Sequence, residues 1–418
     1  MNKKKNILFL HQNFPGQYKF LAPALAKEKD IEVFSISQNE SSGFSDIKHT
    51  QYFITNENVP NLNRLSIEFE TKMIRALAVS EKCFEMKDNG FNPDLIISHP
   101  GWGEGFLLKD IWPNTKFLNY LEFYYNTKDS DIDFDIKENE KITNFGFELT
   151  SKLTARNAPH LSSYVQADQL ITPTNFQKST APKEFLQKIK VIHDGIDTNF
   201  VKPKDDPYVI LKNDNNEEVK LTKDDKIVTF VNRNLEPYRG YHIFMRALPK
   251  IIEKHPDAYI LIVGGSSVSY GATPKNGNYK ELYFGEIKDK IPEDNRVRFL
   301  GQVPYDILLN LFNVTDAHIY YTYPFVLSWS MLEAMSMEAL VIGSKTLPVE
   351  EVIKHNENGL LLDFFDHNLL SETVNNVLSN PDKYISLKKN ARNTIVDEFD
   401  LLSICLPKQI ELVRSLLE

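Results

Sequence analysis

The feature that most constrains this chain is a local pattern that occurs twice: an apolar strand, a loop, a helix and a second apolar strand. Ile7-Leu8-Phe9-Leu10 has the continuous apolarity of a strand buried on both faces. It runs at once into the loop Asn13-Phe14-Pro15-Gly16-Gln17. A helix is expected next, with Leu21, Ala24 and Leu25 on one face and Pro23 in its first turns, where a missing N–H is tolerated. Ile31-Glu32-Val33-Phe34-Ser35-Ile36 reads as the second strand. A helix around residues 73–86 then leads through Gly90 and Pro93 into the strand Leu95-Ile96-Ile97-Ser98.

The pattern begins again at Ile227-Val228-Thr229-Phe230-Val231, which ends in Asn232-Arg233-Asn234. A loop from Leu235 to Gly240 precedes a helix expected to bury Phe244, Ala247, Leu248 and Ile251. Tyr259 to Val263 makes the next strand, closed by Gly264-Gly265. Further strands are expected at 297–300, 317–321 and 340–343. Strands alternating with helices imply parallel sheets covered on both faces, hence an α/β chain of two Rossmann-like domains. The expected boundaries are 1–200, 201–398 and a final helix at 399–418 that packs back on the first domain. The polar stretch from Lys202 to Asp225 reads as a linker carrying an exposed hairpin.

Composition narrows the function. At 418 residues the chain is long enough for two cores. A net charge of -9 argues against a nucleic-acid binder, which wants a basic stripe for phosphates. Two cysteines, Cys83 and Cys405, cannot build a disulfide framework or a four-cysteine zinc site, which points to a reducing compartment. The N-terminal apolar run stops at His11-Gln12-Asn13, short of the ~7–15 residues of a secretion signal. No stretch approaches the roughly 18 apolar residues of a membrane span. The expected location is the cytoplasm, or the inner face of the membrane as a peripheral protein.

Several residues carry chemistry. The turn Tyr323-Pro324-Phe325-Val326-Leu327-Ser328-Trp329-Ser330 follows a strand and precedes a helix, so its N–H groups lie at the carboxyl edge of a parallel sheet, where anions bind. Arg233 and Arg239 occupy strand-end positions in the same half, suited to the charge that develops on a departing nucleoside diphosphate. Glu333 has two readings. Ser330-x-x-Glu333 fits a capping box, whereas an acceptor-only carboxylate also suits a ribose diol. His99 begins the turn His99-Pro100-Gly101-Trp102-Gly103-Glu104-Gly105, whose glycines allow close backbone approach to a ligand; a local turn histidine is the alternative, and Gly16 poses the same question. Asp129-Ser130-Asp131-Ile132-Asp133-Phe134-Asp135 imitates a calcium loop, but Phe134 stands where Gly is required. A solvated acidic loop is expected there.

With these residues in place the chain resembles the GT-B glycosyltransferases of retaining family 4, along nearly its whole length. The segment from Asn232 to Gly240 resembles the family's G-R-L-x-x-x-K-G, with Arg239 in the Lys position. His193-Asp194-Gly195-Ile196-Asp197 resembles N-G-V-D, and Asn358-Gly359-Leu360-Leu361 resembles N-G-x-L. The resemblance implies two domains facing each other across a cleft, a nucleotide diphosphate sugar as donor, no cofactor and no metal. It implies a diphosphate held by Arg233 and Arg239, a ribose bound by Glu333, and His99 over the donor sugar. Gly16, Asn232, Gly265, Phe325, Val326, Leu327, Ser328, Trp329 and Ser330 would complete the donor side. Trp102, Glu104 and Glu122 are the acceptor-side candidates. Phe325 stands where the family's E-x7-E has its first Glu, so the side-chain contact to the sugar is absent. The implied reaction is retaining transfer by front-side attack to a glycan, lipid-linked or protein acceptor, as in surface polysaccharide or glycoconjugate synthesis. The competing class is a degenerate relative that serves as a binding or scaffolding subunit.

Overall fold

The expected strands pair as parallel sheets in the computed structural model, which describes residues 4–55, 62–140, 147–212, 217–293 and 295–418. The first sheet comprises β1 (Lys5–Leu10), β2 (Ile31–Ser37), β3 (Lys48–Gln51), β4 (Leu95–Ser98), β5 (Lys116–Tyr120), β6 (Gln169–Thr172) and β7 (Ile189–Val191), in the order β3-β2-β1-β4-β5-β6-β7. All its pairings are parallel, and Ile7 faces Val33 on one side and Leu95 on the other. Alternate side chains point to opposite faces, which explains the unbroken apolarity of β1. Ile7 and Phe9 pack with Leu21, Leu25 and Val413. Leu8 and Leu10 pack with Val79, Cys83 and Trp112.

The polar stretch after residue 201 does hold a hairpin, β8 (Val209–Lys212) with β9 (Glu218–Leu221), antiparallel. It is not simply exposed: Val209 and Leu221 are each 1% accessible and join the neighbouring core. The second parallel sheet follows, made of β10 (Ile227–Asn234), β11 (Tyr259–Gly265), β12 (Val297–Gly301), β13 (Ala317–Tyr320), β14 (Val341–Ser344) and β15 (Leu360–Leu362). Its order is β12-β11-β10-β13-β14-β15. In each sheet the order reverses once, between β1 and β4 and between β10 and β13. Loops leaving the strand ends there part to opposite faces and leave a crevice, the usual ligand position in open α/β sheets.

The chain divides into two compact units that do not follow sequence order. The first holds the described residues 4–128, 147–195 and 402–418; the second holds 129–140 and 196–401. The helix Leu406–Leu417 thus belongs to the first unit, where Arg414 pairs with Glu28 and Asp30. The segment from Asp129 corrects the expectation of a solvated loop. Ser130 and Asp133 form a capping box around the short helix Asp131–Phe134, and Asp131 and Asp135 are buried. Each accepts a hydrogen bond from a residue far along the chain. The Tyr238 hydroxyl donates to Asp131 at 2.9 Å, Tyr323 donates to Asp135 at 2.9 Å, and His242 Nε2 lies 3.0 Å from Asp135. Acidic composition suggested solvent; distant hydroxyl and imidazole donors made burial affordable. Among the described residues no helix is long and apolar enough to cross a membrane.

Candidate functional site

In the second unit the reversal between β10 and β13 gathers the residues expected to hold a donor. The strand β10 runs through Asn232 and Arg233 to Asn234, and the short helix Pro237–Arg239 follows. Gly240 then takes a φ of 69°, and a Cβ there would sit 2.3 Å from Tyr321 Cβ, so only glycine lets this loop close against β13. The turn aims Arg239 inward, where it is 6% exposed. Its Nη1 donates to Thr322 Oγ1 at 2.9 Å and to the Val326 carbonyl at 3.0 Å. Arg233 stays exposed at the end of β10, and Gly265 is half-buried at the end of β11.

Phe325 is buried in this surround rather than projecting as a carboxylate would. Its ring meets Tyr270 edge-on at 4.8 Å and Tyr238 at 5.5 Å, and the Arg239 guanidinium lies over Tyr270 at 5.1 Å. A cation on aromatic faces loses less on leaving water than one in an aliphatic pocket. Sequence reasoning missed Glu236 in the same loop. It is 1% exposed, its Oε2 accepts from the Ser269 and Tyr270 amides at 2.7 and 3.2 Å, and burial pushes its carboxyl up to about 7. Its place between a strand end and Pro237 was the only available signal.

The helix Trp329–Ser336 begins two residues earlier than the capping box required, with Ser328 and not Ser330 as its N-cap. Ser328 accepts from Ser330 N, so Ser330 lies inside the helix and Glu333 is beyond the N3 position. The capping-box reading of Glu333 fails on that register. Glu333 is 8% exposed, and its Oε1 accepts instead from the Tyr305 hydroxyl at 2.7 Å. Ser328 N–H donates to the Tyr320 hydroxyl at 2.8 Å, fixing the loop that carries Val326 and Leu327 to the end of β13.

In the first unit the reversal between β1 and β4 brings together the loops after His11 and His99. Gly16 has a φ of 48°, and a Cβ there would lie 2.4 Å from the His11 ring. The His11 and His99 rings meet edge to face at 5.6 Å, and His99 stacks on Tyr120 at 5.4 Å. His99 Nδ1 accepts from Gly101 N–H at 3.2 Å, so a neutral ring carries its proton on Nε2. Burial, aided by the Lys72 charge, lowers His99 to about 4. Its Nε2 has no hydrogen-bond partner among the described residues; Glu122 Oε2 is 3.6 Å away.

A pocket of about 260 Å³ opens beside His99, with Trp102 and Glu122 in its lining. Glu104 is not in that lining. It is 1% exposed and accepts from Tyr52 at 2.9 Å, and burial raises its carboxyl to about 7. The pocket adds Lys72, Arg75, Arg156 and His160, which sequence reasoning did not single out. Their signal was present as basic residues three and four apart on two helical stretches.

Comparison with known proteins follows this geometry. Residues 29–201 match the Glycosyl transferase family 4 group, and residues 212–394 match Glycosyl transferases group 1. A D-inositol 3-phosphate glycosyltransferase of Corynebacterium efficiens is 24% identical over 309 residues, covering 72% of this chain and 67% of that protein. Other curated relatives are matched over only 55% and 61% of their own length. Among solved structures, the sucrose-phosphate synthase of Thermosynechococcus elongatus superposes with a TM-score of 0.70 at 17% identity, covering 99% of each chain. Anabaena HepE, solved in complex with UDP and glucose, gives a TM-score of 0.65 at 17% identity, covering 98% of this chain and 99% of that one. Two parallel sheets with these reversals and matches along both halves have one reading: the chain belongs to the GT-B glycosyltransferases of group 1, family 4.

Proposed function

We propose that the protein transfers a sugar from a nucleotide diphosphate sugar to an acceptor, with the nucleotide on the second unit and the acceptor on the first. The observation that carries this reading is the cluster at the end of β10 and β13: Arg239, the N-terminus of Trp329–Ser336, and Glu333. A diphosphate leaving group gains negative charge as the glycosidic bond breaks. A guanidinium already held by Thr322 and Val326, and a helix N-terminus beside it, stabilise that charge without reorganising. Arg233 adds a second cation from the exposed loop. Glu333 accepts from the ribose hydroxyls on the same unit. Reaction proceeds with retention, by front-side attack, the departing phosphate assisting deprotonation of the acceptor. Arginines take the place of a metal. The acceptor is a glycan, lipid-linked or protein hydroxyl reached from the cytoplasm.

The test is a screen of nucleoside diphosphates and their sugars in EDTA, read by thermal unfolding and by slow donor hydrolysis. A saturating ligand at a hundred times its Kd adds about 2.7 kcal/mol, or roughly 5–10 °C for a domain of this size. The reading is overturned if no nucleotide shifts the transition, and its metal-free form if binding and turnover need manganese. Phe325, packed among Tyr238, Tyr270 and Arg239, favours a second reading, a protein that binds the donor without turning it over. That reading requires stabilisation by a nucleotide sugar with no hydrolysis or transfer.

A further inference from the structure

The pocket of the first unit is built by two helices that each turn a pair of basic side chains to one face. Lys72 and Arg75 stand three residues apart on Ile67–Asp88, and Arg156 and His160 four apart on Phe147–Gln166, spacings that place each pair on one helical face. The helices pack together and all four side chains line the same pocket as His99. A buried lysine is ordinarily paired with a carboxylate. Lys72 is 7% exposed, and its side-chain hydrogen bond among the described residues is to His160 Nε2, at 3.4 Å. His160 cannot balance that charge: burial and the nearby cations lower its pKa and keep the ring neutral, and a protonated ring would only add a second cation. Burial, with Arg156 and Arg75 opposing Glu68, lowers Lys72 to about 8 and leaves it mostly cationic at neutral pH.

The other donors are already oriented. Arg156 lies flat over Tyr125 at 3.8 Å, with Glu68 3.3 Å from its Nε. Arg75 Nη1 reaches the Trp102 carbonyl at 3.4 Å, while its Nε is buried without a hydrogen-bond partner among the described residues. His99 Nε2 is likewise buried and unpartnered at the pocket wall. An ammonium, two guanidiniums and an imidazole N–H line one small space together with the Glu68 and Glu122 carboxylates, three cations against two anions and more donors than a sugar hydroxyl or a two-oxygen carboxylate can use. A phosphate monoester presents three terminal oxygens that share a charge of about −2 and matches the set.

We propose that this pocket binds a phosphate monoester carried by the acceptor, so that the acceptor is a phosphorylated small molecule rather than a neutral glycan. This rests on the reading of the first unit as the acceptor side. It keeps the acceptor on that unit and replaces the glycan, lipid-linked or protein hydroxyl with a hydroxyl of a phosphorylated molecule.

The test is calorimetric titration of the full chain with inorganic phosphate, glucose 6-phosphate, glycerol 3-phosphate and unphosphorylated glucose. The same titrations are made on Lys72→Met and Arg156→Gln; the second side chain is 40% exposed, so its removal leaves the fold intact. Phosphate-bearing probes are expected to bind and glucose not, with affinity falling at least about tenfold in each variant. Co-sedimentation with phosphatidic acid vesicles, against phosphatidylcholine, locates the same chemistry on a lipid headgroup if vesicles bind and the soluble esters do not, provided both variants abolish it. Absence of binding by every phosphate probe, or binding unchanged in both variants, overturns the proposal. Nucleoside diphosphate affinity, measured on the same samples, is expected to stay within about twofold. Loss of nucleotide binding by the wild type would instead sink the donor reading and leave the phosphate result interpretable.

Discussion

Arg233 and Arg239 look equivalent in sequence and are not equivalent in the fold. Arg239 is buried and holds Thr322 and the Val326 carbonyl, whereas Arg233 is exposed. Arg233→Ala is therefore expected to leave the melting temperature unchanged and weaken donor turnover. Arg239→Ala leaves buried acceptors unpaired at about 1–3 kcal/mol, a loss of several degrees at roughly 2–4 °C per kcal/mol, as well as most of the turnover. Equal melting temperatures for the two variants would contradict the placement. Glu333 offers a second contrast. Without a capping role, Glu333→Gln keeps an acceptor for Tyr305 but turns one carboxylate oxygen into a donor amide. Nucleotide affinity is expected to fall by about ten- to a hundredfold, as a hydrogen bond to a charged group is worth about 1.5–3 kcal/mol. Calorimetry giving equal affinities would remove Glu333 from the ribose. The strand-end arginines were legible because charged residues after an apolar strand mark a sheet edge. The register of the Trp329 helix was not, since both Ser328 and Ser330 are competent N-caps and only the Tyr320 hydroxyl chooses between them.

At the scale of elements, the strands with continuous apolar runs, β1, β4, β10 and β11, could be read directly, whereas β3 and β6 could not. Lys48-His49-Thr50-Gln51 is an edge strand with no apolar residue, and it pairs because β2 offers it a ladder. The segment Asp131–Phe134 was misjudged for the same reason, because its partners are more than a hundred residues away. Asp135, the C-cap of that helix, supports a pH prediction. Burial alone would raise the Asp135 carboxyl, but the His242 ring, the Glu138 amide and the Tyr323 hydroxyl outweigh it and lower its pKa. A depressed carboxylate stabilises the fold above its unfolded pKa, about 3.9, and loses that contribution as pH falls through the folded value. Asp135→Ala, which takes the acceptor from the Tyr323 hydroxyl, the His242 ring and the Glu138 amide, is expected to cost about 1–3 kcal/mol at pH 7. The difference from wild type should shrink below about pH 4. A gap in urea midpoint that stays constant down to pH 3 would show that the charge of Asp135 contributes nothing.

For the whole molecule, the division of the chain into units makes the helix Leu406–Leu417 a structural part of the half that begins the sequence, although its neighbour in sequence is the other half. It places Leu412, Val413 and Leu416 in the core beside Ile7, Phe9 and Leu25, and Gln409 donates to the His193 carbonyl at 3.0 Å. Val413 is fully buried and Leu416 nearly so. Val413→Ala with Leu416→Ala removes apolar contacts from the first unit alone, at about 2–5 kcal/mol for the leucine and less for the valine. Opening of local structure is governed by the unit that a residue belongs to, not by its distance along the chain. Hydrogen exchange read by mass spectrometry is therefore expected to show faster exchange in peptides covering β1 and β2. Peptides covering β10 and β11 should keep the wild-type rate, although the substitutions lie closer to them in sequence. Loss of protection confined to β10–β15 would place the helix on the second unit. Equal loss in both sheets would mean that the two units unfold as one.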